Sequence, residues 1–185
     1  MTETVVWKDS MARRVRYCVA MSLDGYIAGP NGEADWIVMD PEMNFGDLWA
    51  QFDTLLMGRR TFEAAVARLG ASTMQTLKVV VASRTLRPED HPEITIVSEL
   101  TRSEMQKLRQ QGQKDIWMMG GGELFRVLLE MKEVDSVEVS IVPVLLGAGI
   151  SLLPGVDLRT ALKLTKHKVY RSGVVSLDYE IQVTK

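Results

Sequence analysis

The stretch Ile116-Trp117-Met118-Met119-Gly120-Gly121-Gly122-Glu123-Leu124-Phe125 decides the fold of this chain of 185 residues. Its apolar start predicts a strand over Ile116–Met119, and a single apolar face predicts a helix over Glu123–Met131. Glycines between a strand and a helix let the backbone approach an anion closely, and the first helical turn offers unpaired N–H groups. Gly120, Gly121 and Gly122 therefore indicate either a pyrophosphate-binding turn or a tight turn that packs the helix against the sheet.

Two other predicted strands end in residues that suit an anion. Met57-Gly58-Arg59-Arg60-Thr61 combines a strand end, a glycine, two cations and a threonine that can cap a helix or bind a phosphate. Ser83-Arg84 follows the run Val79-Val80-Val81-Ala82 and suits a phosphate monoester, such as the 2′-phosphate that distinguishes NADPH from NADH. Each segment alone is also explained as a capped helix or a turn. Because ligands collect at the carboxyl ends of parallel strands, the three together favour a phosphorylated cofactor.

Short apolar runs alternate with helical patterns along the chain. Helices are predicted over Met43–Phe52, Thr61–Leu69, Ser103–Gln111 and Glu123–Met131. Strands are predicted over Val15–Met21, Thr54–Met57, Leu77–Ala82, Ile94–Val97, Ile116–Met119, Val137–Leu146, Leu162–Tyr170 and Val174–Val183, with a hairpin turn at Arg171-Ser172-Gly173. We expect a flexible leader over residues 1–13 and one α/β domain over residues 14–185. The domain has a mostly parallel sheet, helices on both faces and an antiparallel addition at one edge.

The composition argues against several classes of partner. With 46% apolar and 25% charged residues and a net charge of −2, the chain gives no electrostatic reason to bind nucleic acid or an anionic membrane. No stretch approaches the ~20 apolar residues of a membrane span, and the start of the chain lacks the apolar region of a signal peptide. The single cysteine, Cys18, lies in an apolar run and predicts an inert buried thiol. We therefore expect a cytoplasmic protein that binds a small molecule.

Six segments occur in the order typical of one superfamily. They are Ala20-Met21-Ser22-Leu23-Asp24-Gly25-Tyr26-Ile27-Ala28, Asp35-Trp36, Met57-Gly58-Arg59-Arg60-Thr61-Phe62-Glu63, Ser83-Arg84, Gly120-Gly121-Gly122-Glu123-Leu124 and Pro143-Val144-Leu145-Leu146-Gly147-Ala148-Gly149. From Val15 to Val183 the chain resembles the dihydrofolate reductase-like superfamily, and within it stand-alone relatives of the C-terminal reductase domain of the riboflavin-biosynthesis deaminase-reductase. The resemblance implies a three-layer α/β fold whose mainly parallel, eight-stranded sheet has an antiparallel C-terminal strand. It also implies a homodimer, for which the C-terminal β region, with Val137–Leu146 and Val174–Val183, is the expected interface.

The resemblance implies NADPH as cofactor and assigns residues to it. Ala20 and Ile27 would contact the nicotinamide carboxamide through backbone groups. The remaining cofactor-binding residues would be Gly58, Arg59 and Thr61 at phosphates, Ser83 and Arg84 near the 2′-phosphate, and Gly120, Gly121, Gly122, Glu123 and Leu124 along the pyrophosphate. The segment Ser22–Trp36 matches a mobile loop that closes over cofactor and substrate; a surface loop is the alternative.

Three carboxylates are candidate catalytic residues. True dihydrofolate reductases of the superfamily that this chain resembles carry a carboxylate shortly after the tryptophan. In this chain Asp40 and Glu42 are available there, although neither is in register with that carboxylate. Both are also explained as charges favoured by a helix N-terminus. Asp24 would lie beside the nicotinamide, or it forms the turn before Gly25.

The function expected from the resemblance is reduction of a 5-amino-6-(5-phosphoribosylamino)uracil-type pyrimidine with NADPH. Dihydrofolate reductase activity is one alternative. Others are a catalytically degenerate NADP-binding or assembly protein and a module that binds flavin or another nucleotide. One cysteine and two histidines, His91 and His167, cannot form the zinc motif of the deaminase half, so we predict no metal site.

Overall fold

The computed structural model of the protein describes residues 13–70, 76–155 and 159–182. Its strands are β1 (Val15–Ser22), β2 (Tyr26–Ala28), β3 (Phe52–Gly58), β4 (Lys78–Ala82), β5 (Thr95–Val97), β6 (Asp115–Gly120), β7 (Ser136–Val142), β8 (Ile150–Ser151), β9 (Leu162–Val169) and β10 (Val175–Ile181). Eight of them form one sheet in the order β5-β4-β3-β6-β1-β7-β10-β9, while β2 and β8 pair separately. In the large sheet, β10 points in the direction opposite to the other seven strands and pairs antiparallel with β7 and β9. The predicted eight-stranded, mostly parallel sheet with an antiparallel C-terminal strand is confirmed.

Among the described residues, four helices cover the sheet: α1 (Phe45–Trp49), α2 (Arg59–Leu69), α3 (Arg102–Gln110) and α4 (Gly122–Glu130), with a 3₁₀ turn at Pro88–Asp90. One face of the sheet packs against α3 and α4, through Met105 and Phe125 among others. The other face packs against α1 and α2, where Phe62 is buried and the rings of Trp49 and Trp117 lie 5.1 Å apart. Helices therefore lie on both faces, as predicted.

The helices on the second face cover it unevenly. The buried cluster beneath α1 and α2 draws on β1, β3, β4 and β6. No residue of β7, β9 or β10 belongs to that cluster among the described residues. The same face of these three strands lines a cavity instead. The short helix α1 thus marks the border between the packed core and an open half of the sheet.

Several predicted boundaries differ from the structure for local reasons. The strand predicted over Val137–Leu146 ends at Val142, because Pro143 has no N–H to continue the ladder. The helix predicted over Met43–Phe52 ends at Trp49, and Phe52 is buried in β3. The strands β2 and β8, of three and two residues, are too short to show a period of two in the sequence. The hairpin turn after β9 is confirmed by hydrogen bonds of 2.9 and 3.0 Å across it.

The beginning of the described chain is packed into the fold. The side chain of Arg13 is buried and donates hydrogen bonds to the carbonyl of Leu108 (2.7 Å), to the hydroxyl of Thr54 (2.8 Å) and to the carboxylate of Asp53. Of the leader predicted over residues 1–13, the first twelve residues lie outside the described residues, and Arg13 belongs to the folded domain. None of the described helices has the length and apolarity needed to cross a bilayer.

Candidate active site

The three segments predicted to bind an anion lie at one edge of the sheet. β3 lies between β4 and β6, with Gly58 opposite Ala82 and Met57 opposite Gly120. Because the three strands are parallel, the residues that follow them emerge side by side. The structure therefore brings Gly58–Thr61, Ser83–Arg84 and Gly120–Gly122 together, which the sequence could only suggest. We call this edge the anion rim.

Two helices begin at the anion rim with glycine caps. Gly58 precedes α2 and Gly121 precedes α4, and neither start has a side-chain cap. The first N–H groups of each helix have no partner within the helix and lie at its positive end. The side chain of Thr61 faces the glycines: a Cβ on Gly121 would lie 3.6 Å from the Thr61 hydroxyl oxygen. No described atom lies within 4 Å of the Cβ position of Gly58. This open, donor-rich space fits the phosphates of a dinucleotide.

The structure explains each of the three consecutive glycines differently. Gly120 has a φ of +144°, which side chains disfavour. A Cβ on Gly122 would lie 2.4 Å from the carbonyl oxygen of Ser151, so this glycine lets α4 pack against β8. Gly121 has neither restriction. Both interpretations of the motif thus apply, the packing turn at Gly122 and the open anion site at Gly121.

Some polar side chains of the anion rim already form hydrogen bonds within the protein, and others are exposed. Ser83 is buried, and its hydroxyl accepts hydrogen bonds from the N–H groups of Thr85 (3.2 Å) and Leu86 (3.0 Å), so it shapes the turn. Arg84, next to it, is exposed. Arg59 is also exposed, with its guanidinium 3.5 Å from the carboxylate of Glu63. Arg60, next to Arg59, is exposed as well, so three arginines of the anion rim are available to an incoming phosphate.

The side chains of the remaining residues of the predicted pyrophosphate turn, Glu123 and Leu124, already contact other parts of the protein. The carboxylate of Glu123 lies 3.1 Å from Arg126 on the surface of α4. Leu124 is half-buried and packs against the core. Both residues belong to the first turn of α4, where the backbone N–H groups are the available donors.

Ala20 and Ile27, the residues expected to contact the nicotinamide, belong to different sheets. Ala20 is in β1, opposite Ser140 of β7, and lines the cavity. Ile27 is the middle residue of β2 and half-buried. β1 is flanked by β6, which leads into the glycines, and by β7, so Ala20 lies where the anion rim meets the cavity.

Asp24 links two loops at this edge. Its carboxylate accepts hydrogen bonds from the hydroxyl of Ser22 (2.6 Å) and from the N–H groups of Gly147 (2.7 Å) and Leu146 (3.1 Å). The Ser22 hydroxyl, followed by these N–H groups, holds the pKa of Asp24 below its ordinary value. A carboxylate with a lowered pKa stays ionised at neutral pH and is poorly suited to donate a proton. The geometry gives Asp24 a positioning role.

The segment Ser22–Trp36, expected to form a closing loop, is held by its own hydrogen bonds. The N–H of Gly29 donates to the carbonyl of Glu33 (2.9 Å), and the Glu33 carboxylate accepts from Asn31 (2.9 Å). Arg68 of α2 donates to the carbonyl of Ala34 (2.7 Å). The loop thus has a defined shape against α2.

Asp40 and Glu42 are engaged with the β9–β10 hairpin. The carboxylate of Asp40 is buried and accepts hydrogen bonds from the N–H groups of Ser172 (2.9 Å) and Glu42 (2.8 Å). Hydrogen bonds from Ser172 and then from Glu42, with a contribution from Lys168, lower the pKa of Asp40. The carboxylate of Glu42 lies 3.2 Å from Arg171 and 3.9 Å from Lys168. Neither carboxylate is among the residues lining the cavity, and both fasten the loop before α1 to the hairpin.

A cavity of about 380 Å³ lies beside Ala20. One wall is the loop before α1 together with α1 itself, including Ile37, Met39 and Leu48. The floor is the open half of the sheet, in which every second residue of each strand faces the cavity. These floor residues are Arg16, Cys18 and Ala20 of β1, Glu138, Ser140 and Val142 of β7, Ser176 and Asp178 of β10, and Lys166 and Lys168 of β9.

The floor is organised around a buried ion pair. Arg16 donates two hydrogen bonds, of 2.7 and 2.6 Å, to the carboxylate of Glu138 on the neighbouring strand. Cys18 is buried beside them, its thiol 3.3 Å from the same carboxylate, and burial raises the pKa of the thiol well above its ordinary value. The predicted inert, buried thiol is confirmed as buried. One row further, the hydroxyls of Ser140 and Ser176 lie 3.1 Å apart.

Comparison with known proteins agrees with this architecture. Residues 13–176 match the RibD C-terminal domain family. The chain belongs to this family. It is 35% identical over 178 residues to the uncharacterized protein YyaP of Bacillus subtilis (strain 168), covering 90% of this chain and 94% of that protein.

Solved structures share the fold. One, named "Putative riboflavin biosynthesis protein", comes from Shewanella sp. PV-4; it superposes with a TM-score of 0.80 at 22% identity and covers 92% of this chain and 99% of its own. Another is the diaminohydroxyphosphoribosylaminopyrimidine deaminase/5-amino-6-(5-phosphoribosylamino)uracil reductase of Thermotoga maritima, with a TM-score of 0.66 at 16% identity. That match covers 92% of this chain and 57% of the Thermotoga chain.

Sequence reasoning missed the cavity floor of this family member. Arg16, Glu138 and Asp178 all belong to predicted strands. Arg16 is more than a hundred positions from the other two, and the sequence does not show that the strands of Glu138 and Asp178 are neighbours. Alternation of polar residues within one strand, as in Glu138 and Ser140, shows which residues share a face. It does not show which strands are adjacent, so the row across the strands became visible only in the structure.

Proposed function

We propose that the protein is an NADPH-dependent reductase that transfers a hydride to a small pyrimidine of the 5-amino-6-(5-phosphoribosylamino)uracil class. The observation that carries the proposal is that the anion rim, at the edge of the sheet, adjoins the cavity on its open face. The anion rim ends at Gly120–Gly122 after β6, the cavity floor begins at Ala20 on β1, and these two strands are neighbours. A long cofactor with phosphates at one end and a reactive ring at the other fits this arrangement.

The residues at the anion rim fit NADPH. Gly121 and the first N–H groups of α4 would hold the pyrophosphate, with Thr61 facing them. Arg84 would bind the 2′-phosphate, on the turn shaped by Ser83. Ala20 would contact the nicotinamide at the mouth of the cavity. When bound, the nicotinamide supplies the hydride.

The chain itself contributes binding, orientation and exclusion of water. The apolar wall formed by Ile37, Met39 and Leu48 would cover one side of a planar substrate. The Ser140 and Ser176 hydroxyls can donate to or accept from its polar groups. Lys166 and Lys168 give the β9 side of the cavity positive charge, which suits a phosphorylated substrate.

The relatives support reduction of a pyrimidine over reduction of folate. The family is named for the RibD C-terminal domain, and the name of the Thermotoga protein includes a uracil reductase. The two carboxylates considered for folate chemistry, Asp40 and Glu42, are bound to the β9–β10 hairpin. Asp40 and Glu42 therefore give no support to the folate alternative.

Titration with NADPH and NADH, followed by nicotinamide fluorescence, tests the cofactor. The wild type should bind NADPH more tightly than NADH. In Arg84→Ala, NADPH affinity should fall about tenfold or more, as expected for a lost charged hydrogen bond, while NADH affinity stays the same. Arg102→Ala, which removes an exposed arginine from the start of α3, is the control. Absence of binding for both cofactors would reject the proposal.

A further inference from the structure

The cavity floor contains a carboxylate, Asp178, that accepts no hydrogen bond from the described residues. Glu138 and Asp178 lie directly opposite each other on β7 and β10 and both face the cavity. Glu138 is fully engaged by Arg16, by the hydroxyl of Ser136 (2.8 Å) and by the thiol of Cys18. Among the described residues, no side chain or N–H group donates a hydrogen bond to the carboxylate of Asp178, and no cation lies within ion-pair distance of it.

The other carboxylate at the cavity is already occupied. Asp47 accepts a hydrogen bond from the side chain of Asn44 (2.7 Å) and is exposed at the start of α1. Asp178 is thus the one described carboxylate of the lining that is both half-buried and without a donor.

The half-buried carboxylate of Asp178 lies beside a like charge, Glu138, and faces the open space of the cavity. Burial raises the pKa of Asp178, and the neighbouring Glu138 raises it further, while Lys166 and Arg16 act in the opposite direction. Cys18, the remaining titratable group in this row, lies on the far side of Glu138. A half-buried carboxylate that lacks donors gains more than a solvated one from a ligand that supplies N–H groups.

The position of Asp178 fits one end of a substrate whose other end reacts at Ala20. Cys18, Glu138, Asp178 and Lys166 form one row across four strands, and Ala20, Ser140, Ser176 and Lys168 form the next. Two strand spacings, about 10 Å, separate β1 from β10. A pyrimidine ring with its attached sugar spans such a distance. The sugar carbon that accepts the hydride would lie by Ala20 and the ring by Asp178.

We propose that Asp178 is the residue that anchors the substrate ring, by accepting hydrogen bonds from a ring N–H and from the amino group beside it. This inference rests on the proposed reductase function and names the part of the substrate that the cavity recognises. A carboxylate has two oxygens that can accept such a pair of parallel N–H groups. The paired hydroxyls of Ser140 and Ser176 lie one row away, where they can bind the sugar.

The test uses 5,6-diaminouracil as the probe, added to the NADPH-loaded full-length protein in a calorimetric titration. Asp178→Asn should bind the probe about tenfold to a hundredfold more weakly than the wild type. Glu180→Gln, a carboxylate on the same strand that lies 3.9 Å from Arg14 and outside the cavity lining, should bind it like the wild type. Unchanged probe affinity in Asp178→Asn would overturn the inference.

A second probe keeps the test decisive if Asp178→Asn does not fold. 1,3-Dimethyl-5,6-diaminouracil lacks both ring N–H groups, so it should bind the wild type about tenfold or more weakly than 5,6-diaminouracil. Equal affinity of the two probes would overturn the inference. Binding of NADPH without binding of either probe would overturn the inference and leave the reductase proposal standing. Binding of the probe without binding of NADPH would overturn the reductase proposal instead.

Discussion

Replacing Glu138 with alanine leaves the guanidinium of Arg16 without its main partner in a mostly buried position. The two side chains are each only 13% exposed and are joined by two hydrogen bonds, of 2.7 and 2.6 Å. Removing one partner of a buried ion pair costs about 3–5 kcal/mol. Arg16 keeps Gln51 (2.8 Å) and Asp115 (3.4 Å), so we expect the lower end, about 3 kcal/mol. For a domain of this size that corresponds to a melting temperature about 6–12 °C lower.

Urea denaturation followed by far-ultraviolet circular dichroism measures this loss as a lower midpoint with an unchanged slope. The matched control is Glu180→Ala, which removes the partner of another arginine of the same region. Arg14 and Glu180 are 44% and 38% exposed and 3.9 Å apart, so this variant should stay within about 1 kcal/mol of the wild type. Equal losses in the two variants would refute the reasoning that burial makes the Arg16–Glu138 pair important.

The same pair predicts a pH dependence. Burial alone would raise the pKa of Glu138, but hydrogen bonding and charge from Arg16 outweigh it, so the pKa lies below its ordinary value. Stabilisation by a carboxylate with a lowered pKa is complete above its ordinary pKa and is lost as the pH falls through the lowered value. The wild type should therefore lose stability on acidification more steeply than Glu138→Ala. Parallel pH profiles of the two proteins would contradict this assignment.

Three further predictions concern other parts of the molecule. Gly122→Ala should destabilise the fold by about 1–3 kcal/mol in urea denaturation, because its Cβ would lie 2.4 Å from the carbonyl oxygen of Ser151. Asp24→Ala should speed hydrogen exchange of the Gly147 amide, which now donates to the Asp24 carboxylate at 2.7 Å. Leu164→Glu should convert a homodimer to monomers in analytical ultracentrifugation, since we expect the exposed apolar side chains of β9 to form the interface.

Each of these predictions has a control or a contrary outcome. Gly121→Ala should keep wild-type stability, since its Cβ would meet the nearest atom, the Thr61 hydroxyl oxygen, at an ordinary 3.6 Å. Unchanged exchange of the Gly147 amide in Asp24→Ala would show that the loop holds its shape without the carboxylate. A wild type that sediments only as a 20.7 kDa species would exclude the homodimer.

The elements of this fold could be predicted from the sequence because they depend on local patterns. Apolar runs such as Val79-Val80-Val81 are typical of buried parallel strands, and the glycines at 120–122 identify the strand-to-helix turn. Since parallel strands share their carboxyl edge, the anion rim followed from the elements. The resemblance of the six ordered segments to one superfamily added the number of strands, the antiparallel C-terminal strand and NADPH as the expected cofactor.

The cavity and its charges could not be predicted, because they depend on contacts between distant parts of the chain. In the sequence Asp40 is available as an acid, yet its carboxylate accepts a hydrogen bond from the N–H of Ser172, 132 positions away. Asp178 looked like one of several polar residues in an alternating strand, and only the pairing of β10 with β7 places it opposite Glu138. Which strands are neighbours, and which carboxylates already have donors, are properties of the folded chain.

The most direct measurement for the reductase proposal is transfer of deuterium from NADPH labelled at the reactive carbon of the nicotinamide. The protein is mixed with labelled NADPH and 5-amino-6-(5-phosphoribosylamino)uracil, and the products are analysed by mass spectrometry. We expect oxidised cofactor and a ribityl product that carries one deuterium. Labelled NADPH that binds but remains unoxidised, with no deuterated ribityl product, would contradict the proposal and indicate a binding protein without turnover of this substrate.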